Sequence, residues 1–281
     1  MLCHIPHFLS KQSDWVIFLH GLGGNSNIFY KQIDEFKKHF NLMFVDLFGH
    51  GCTLEQLNAY TFQTLAQGVI NVLDDENIDS APLIGVSLGT IVMDAFALLA
   101  PTRIKSMVLS GAVQGYDFKS RVLLKLGALI QWIMPYMWLY RLFAFIMMPR
   151  GNHARSRQIF TREAAKLGGR EFHKWYRLME SLEPFYASLP GPRKNFTPRL
   201  YISGDEDHLF LPFVISSYLC DPLASIHIFE KCGHVCNIEK PEKFNQASIS
   251  YLKKYPNQIK TEHIPENTHA QKLLKKLSGS G

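Results

Sequence analysis

Residues 85–90 read Gly-Val-Ser-Leu-Gly-Thr, which puts Ser87 at the centre of a G-x-S-x-G pentapeptide between two apolar segments of different character. Ala81 to Val86 is short and branched, as a buried strand would be, whereas Leu88 to Ala100 is rich in Leu, Met, Ala and Phe, as a buried helix would be. A strand that turns straight into a helix strains the residue at the turn, and flanking glycines let neighbouring backbone pass close by. The hydroxyl is then held clear of the main chain above a helix N-terminus. Ser87 is therefore a candidate nucleophile. Serine at a helix start is also a common N-cap, so the assignment depends on what else the chain supplies.

A serine hydroxyl needs a base to take its proton and a third group to orient that base. In the strand-to-helix design the acid and then the histidine follow the serine, each on a loop after a later strand. Arg199-Leu-Tyr-Ile-Ser203 reads as a strand followed by Gly204-Asp-Glu-Asp207-His, and Ser225-Ile-His-Ile-Phe229 as another followed by Lys231-Cys-Gly-His234. Ser87, Asp207 and His234 thus form the candidate catalytic set, with Asp205 as the rival acid and Glu206 expected to be solvated. An oxyanion also needs two converging N–H donors. Leu88 supplies one at the start of its helix, and Leu22, in the turn His20-Gly-Leu-Gly-Gly24 after the apolar run Trp15–Leu19, supplies the other.

With these segments in hand, the chain resembles the α/β-hydrolase superfamily. The resemblance rests on His20-Gly-Leu-Gly-Gly, Asp46-Leu-Phe-Gly-His-Gly51, Gly85-Val-Ser-Leu-Gly89, Gly204-Asp-Glu-Asp207 and Gly233-His-Val-Cys-Asn-Ile-Glu-Lys-Pro-Glu242, in the family order and spread over most of residues 15–255. It implies Ser87 as nucleophile, His234 as base, Asp207 as the orienting acid three positions after Gly204, and an oxyanion hole from the Leu22 and Leu88 amides. Two features depart from the pattern. The residues before Trp15 leave room for at most one strand, and Cys52 follows Gly-His-Gly where the family often has Arg or another polar residue. His20 and His50 read as structural groups of their own glycine turns, and Asp46 as the anchor of the turn beside it.

The elements that must carry these residues alternate. Strands are expected near 15–19, 42–46, 82–86, 105–110, 199–203 and 225–229, and helices near 26–38, 62–77, 88–100, 211–219 and 241–254. That alternation predicts an α/β fold, a mostly parallel sheet with helices on both faces and ligands at the carboxyl ends of the strands. The expected organisation is a core of 1–114 and 199–256, a helical cap over 115–198, and a polar tail over 257–281. Within the tail Gln271–Leu277 can form one short amphipathic helix, and Ser278-Gly-Ser-Gly281 reads as an appended remnant.

The cap region is distinctive in charge. Fourteen Lys and Arg face five Asp and Glu over 115–198, a net +9, while the rest of the chain nets −3. Val122–Met148 is almost continuously apolar, but Lys125, Pro135 and Arg141 leave no window of about 20 uncharged residues for a transmembrane helix. A pair of cap helices broken near Pro135 is expected, with Trp132, Trp138 and Phe143 as candidate substrate-binding residues. An apolar face flanked by Arg and Lys can line an acyl channel or touch a membrane surface. Nucleic acid is a poor partner, because the aromatics sit in a hydrophobic run instead of alternating with the basic residues.

Five cysteines, an odd number without framework spacing, argue against a disulfide scaffold and suit a reducing, cytoplasmic compartment, and no secretion signal is read at the N-terminus. Cys232-x-His234-x-Cys236 lacks the paired half of a zinc site, so no metal is expected there, and no cofactor is called for. The expected function is hydrolysis of a small-molecule carboxylic ester with a lipophilic acyl group through an acyl-enzyme. The alternatives are thioester, lactone or carbon–carbon bond hydrolysis or lyase chemistry on the same triad, or a hydrolase-like receptor that signals through its cap.

Overall fold

Seven short segments pair into one sheet: β1 (His4–His7), β2 (Trp15–Leu19), β3 (Asn41–Val45), β4 (Ala81–Val86), β5 (Ile104–Ser110), β6 (Arg199–Gly204) and β7 (Ala224–Phe229). The computed structural model describes residues 1–189 and 197–254, so the expected tail helix and the terminal remnant lie outside the described residues. Strand order is β1-β3-β2-β4-β5-β6-β7. All neighbours run parallel except β1, which pairs antiparallel with β3 and is the single strand for which the N-terminus has room. Every residue of β3 and β4 is buried. Burial on both faces requires helices on both sides, which the alternating connections provide.

Helices α1 (Ile33–Phe36), α2 (Phe62–Asp75) and α3 (Leu88–Leu99) fill the first half of the fold. α2 starts at a reciprocal cap between Thr61 and Thr64 and buries Leu65, Val69, Val72 and Leu73 along one side. One expected helix is corrected. Residues 26–38 form a 3₁₀ turn (Ser26–Phe29) and the single turn α1 instead of one continuous helix. Asn25 accepts from the Asn27 amide and Asp46 Oδ1 from the Ser26 amide at 2.7 Å, so local side chains take the donors and settle the chain in turns. α3 is tied to the sheet by a buried ion pair, Asp94 with Arg199 of β6 at 2.6 Å.

Between β5 and β6 the alternation gives way to five helices: α4 (Phe118–Ile130), α5 (Tyr136–Met147), α6 (Ala154–Ala164), α7 (Gly169–Glu180) and α8 (Leu182–Ser188). The break between α4 and α5 falls at Pro135, which has no N–H to continue a helix from the preceding turn. No described helix is long and apolar enough to cross a membrane. The insertion is fastened to the core by polar contacts that the core's loops supply. Asn25 donates to Glu163 at 2.8 Å, Tyr60 to Glu171 at 2.5 Å, and Lys174 to the Leu57 carbonyl at 2.8 Å. Trp175 is fully buried between Tyr60, stacked at 4.5 Å, and the edge of His50 at 4.8 Å. α9 (Leu211–Leu219), α10 (Cys236–Glu239) and α11 (Pro241–Lys254) complete the described chain.

The cysteines correct a second expectation. Cys3 and Cys52 form a disulfide, with Cα atoms 5.6 Å apart. β1 lies against β3, and the Asp46 amide donates to the Cys3 carbonyl while the Cys3 amide donates to Thr53, which brings the N-terminus beside the Gly51–Thr53 turn. Cys52 thereby finds a partner 49 residues upstream, a pairing that odd cysteine number and spacing conceal. The cysteine argument for a reducing compartment falls with it, since such bonds persist in oxidising surroundings.

Candidate active site

Ser87 occupies the β4–α3 turn with φ 52° and ψ −116°, a left-handed conformation that costs a non-glycine residue roughly 1–3 kcal/mol. It stands at the N-cap position, yet its hydroxyl makes no capping hydrogen bond. The simple capping role is thereby removed. Its own amide donates to Ser110 at 2.9 Å, and its carbonyl accepts from the Thr90 amide and hydroxyl at 2.9 and 2.6 Å. The flanking glycines are steric necessities. A Cβ on Gly89 would stand 2.3 Å from the Leu19 carbonyl oxygen, and one on Gly85 would stand 2.4 Å from Met93 Sδ.

The structure brings His234 and Asp207 together. Both are buried, and His234 Nδ1–H donates to Asp207 Oδ2 at 2.8 Å. Asp207 Oδ1 and His234 Nε2 have no partner among the described residues. With Nδ1 committed to a carboxylate, Nε2 carries the free lone pair of the neutral ring. His234 and Ser87 line one small cavity of about 20 Å³, with Gly21 and Ile238 among its other walls. Nε2 and the hydroxyl are not within hydrogen-bonding geometry of each other here, a looseness common to catalytic hydrogen bonds in unliganded sites. The ring is further seated by Phe210, 5.1 Å away, and by Gly111 at φ 52°, where a Cβ would meet the His234 carbonyl at 2.4 Å and the imidazole at 3.1 Å. Asp205, the rival acid, is exposed and accepts from the Cys232 amide at 3.3 Å.

The two residues expected to supply the donors line the same cavity as Ser87. Leu88 is the first residue of α3, so its N–H is one of those a helix leaves without an intrahelical acceptor. Around Leu22 the peptide directions are fixed by neighbours. The Gly21 carbonyl accepts from His20 Nδ1 at 2.8 Å and from the Gly24 amide at 2.9 Å. A trans peptide points its N–H the opposite way, so the Leu22 amide turns from those donors. The next peptide is clamped at both ends, with Tyr140 donating to the Leu22 carbonyl at 2.7 Å and the Gly23 amide donating to His50 Nε2 at 3.0 Å. Leu22, Leu88 and Ser87 all line a larger cavity of about 270 Å³ between the strand ends and α4, α5 and α7.

His20 and His50 act in these turns as neutral rings. His20 Nε2 accepts from the Leu47 amide at 3.0 Å, and His50 Nδ1 donates to the Phe48 carbonyl at 3.0 Å. Burial lowers the pKa of both, that of His50 to well below 6.5. The unfolded chain therefore binds protons below pH 6.5 that the folded chain does not, and stability falls as pH drops through that range. We expect Tm to decline from pH 7 to pH 5, at up to about 1.4 kcal/mol per pH unit for each ring, and His50→Gln to flatten the decline. A decline of equal slope in that variant would assign the acid sensitivity elsewhere.

Several positions depart from expectation. Trp132 and Trp138 are 65% and 66% exposed and do not line the cavity, whereas Phe143 does. Trp132 stacks on His173 at 4.8 Å under Arg177, and α5 directs Trp138 away from its buried side, which carries Leu139, Tyr140, Ala144 and Met147. Glu206 is not solvated. Its side chain is 7% exposed and takes Arg150 at 2.5 Å and Asn152 and His153 at 2.8 Å. Burial raises its pKa, but these donors outweigh it and hold the carboxyl below the usual range. Glu239 braces the histidine loop by accepting from the Gly233 amide at 2.7 Å. Cys232 and Cys236 are buried thiols, and among the described residues no three His, Cys, Asp or Glu side chains are grouped to hold a metal.

Known proteins share this architecture. The family model of the alpha/beta hydrolase fold matches residues 14–135. A 2-hydroxy-6-oxononadienedioate/2-hydroxy-6-oxononatrienedioate hydrolase of Cupriavidus pinatubonensis is 27% identical over 264 residues, covering 85% of this chain and 87% of the relative. A 3-oxoadipate enol-lactonase of Acinetobacter baylyi is 22% identical over 255 residues, covering 85% and 89%. Among solved structures, an esterase from Exiguobacterium antarcticum superposes with a TM-score of 0.76 at 16% identity, over 90% of this chain and 95% of that one. The sheet order, the strained serine turn and these likenesses agree: the chain has the α/β-hydrolase fold.

Proposed function

We propose that the protein is a serine hydrolase of carboxylic esters with a medium or long acyl chain, and that α4–α8 form the cap that selects the chain. The observation that carries this reading is the cavity beside Ser87. It holds about 270 Å³, and none of the side chains lining it is charged. Its few hydroxyls are partly committed elsewhere, Tyr140 to Leu22 and Tyr176 to the Leu124 carbonyl at 2.7 Å. The two curated relatives are named for a dioate and an oxoadipate, substrates with a second carboxylate. Such a group would be buried here without a cationic partner, at a cost of several kcal/mol. An alkyl chain carries no such penalty.

In the proposed reaction Ser87 attacks the ester carbonyl while His234 Nε2 takes its proton and Asp207 stabilises the resulting imidazolium. The tetrahedral oxyanion is received by the Leu22 and Leu88 amides. His234 then protonates the leaving alcohol. In the second half it takes a proton from water as the water oxygen attacks the acyl carbon, and returns a proton to Ser87 as the bond to its oxygen breaks and the acid leaves. The cavity of about 20 Å³ shared by Ser87 and His234 is large enough for one water molecule. Thioesters and lactones present the same carbonyl and fall within the reach of this site.

The test is a chain-length series of p-nitrophenyl esters. Each methylene moved from water into an apolar cavity is worth ~0.8 kcal/mol, so six of them set an upper bound near ~5 kcal/mol. With incomplete burial we expect kcat/KM for octanoate to exceed that for acetate about 100-fold. Equal values would sink the acyl assignment, and turnover slower than one per hour with tight retention of one compound would favour the receptor reading.

A further inference from the structure

We propose that the outer face of α4 and α5 docks on an anionic lipid surface and takes its acyl ester directly from it. The inference rests on the ester reading only for what enters the cavity, not for the docking itself. Of the seventeen large hydrophobic side chains that are exposed among the described residues, nine fall between Phe118 and Phe145. Along α4 and the turn after it they are Phe118, Val122, Leu126, Leu129 and Ile133, and along α5 they are Trp138, Leu142 and Phe145. Spacings of three and four residues put each set on one helix side. The two stripes meet, because Leu126 and Leu142, 52% and 44% exposed, also line the cavity that reaches Ser87. The cavity therefore opens within the exposed apolar face.

Charge identifies the occupant. Residues 118–145 contain Lys119, Arg121, Lys125 and Arg141 and no Asp or Glu. Arg121 pairs with Glu183 at 2.8 Å, whereas Lys119, Lys125 and Arg141 form no ion pair among the described residues. All three are exposed. Exposed apolar side chains set among basic groups, three of which form no ion pair among the described residues, match a bilayer interface with anionic headgroups. A protein partner of ordinary composition would leave those cations unmatched. An aqueous surface leaves the apolar groups in water, and contiguous exposure of this kind marks an interaction site.

The experiment is flotation of the full chain with vesicles of pure phosphatidylcholine and with vesicles holding 30% phosphatidylglycerol. Binding to the anionic vesicles is expected, weakened by high salt and at least tenfold weaker to phosphatidylcholine alone. Replacing Phe118, Leu129 and Ile133 by Ser, all exposed and none lining the cavity, is expected to lower partitioning at least tenfold while hydrolysis of p-nitrophenyl butyrate stays unchanged. Lys119→Glu with Lys125→Glu and Arg141→Glu is expected to abolish the preference for anionic lipid. Ser87→Ala should float like the parent. Failure to float, or flotation of the triple Ser variant at parental level, overturns the proposal. A stable dimer that the triple Ser variant dissociates, without vesicle binding, assigns the face to a second copy and overturns it as well. If vesicles bind but no ester is hydrolysed, the ester reading fails and the docking stands.

Discussion

Ser87→Ala is expected to lower kcat/KM toward the preferred ester by about 10⁴- to 10⁶-fold and to remove labelling by a fluorophosphonate probe, with little change in Tm. The rate loss corresponds to roughly 5–8 kcal/mol of transition-state stabilisation. It follows from deleting the atom proposed to form the covalent bond. What remains, the two amides and the cavity, can still bind substrate and favour attack by water. Alanine keeps the Cβ, so the backbone strain at φ 52° is unrelieved and no cavity is opened in the core. The hydroxyl makes no cap bond whose loss would destabilise α3. A stability change above about 1 kcal/mol would therefore reveal a structural role. Labelling that persisted would move the nucleophile to another residue.

The sequence made the sheet legible because its signals are local. Short branched runs marked six of the strands within one or two residues, and the G-x-S-x-G turn placed Ser87 between β4 and α3. The loops that the structure brings together at Asp207 and His234 stood out for the same reason, each lying just past a strand end. What escaped depends on contacts between distant segments. Tyr140, which fixes the Leu22 carbonyl, lies 118 residues from it, and nothing in its neighbourhood distinguishes it from Trp138 two positions earlier. Only the rotation of α5 decides that Tyr140 turns inward and Trp138 outward. Glu206 reads as a loop carboxylate until Arg150, Asn152 and His153 arrive from the insertion. Gly111 escaped too, since its reason is the imidazole ring against it.

These distant contacts share a consequence. Tyr140 connects α5 to the glycine turn after β2, and Glu206 and Glu239 connect the insertion and α10 to the loops bearing Asp207 and His234. α5, which lines the larger cavity, therefore also clamps the glycine turn of the candidate site, while residues 150–153 brace the loop bearing Asp207. Displacement of α5 would change the wall of the cavity and the clamp on the Leu22–Gly23 peptide together. Under the ester proposal, chain-length selectivity and rate are expected to be coupled through that helix.

Asp207→Asn is expected to lower kcat about 10⁴-fold with KM nearly unchanged, and to slow fluorophosphonate labelling without abolishing it. The argument is one of hydrogen-bond inventory. Asp207 Oδ2 accepts from His234 Nδ1 at 2.8 Å, while Oδ1 is buried with no partner among the described residues. An asparagine can face the ring with its oxygen only by leaving its NH₂ at the Oδ1 position, buried without an acceptor, at about 1–3 kcal/mol. Facing the ring with NH₂ avoids that cost but forces Nδ1 to accept. The proton then moves to Nε2, the nitrogen proposed to take the Ser87 hydroxyl proton, and the ring can no longer do so. The substitution is nearly isosteric, so substrate affinity is untouched and the loss falls on kcat. Asp205→Asn is the control: an exposed carboxylate whose recorded role is to accept from the Cys232 amide should cost less than about tenfold, since its amide oxygen can still accept. Should Asp205→Asn prove the more damaging of the two, the orienting acid would be Asp205.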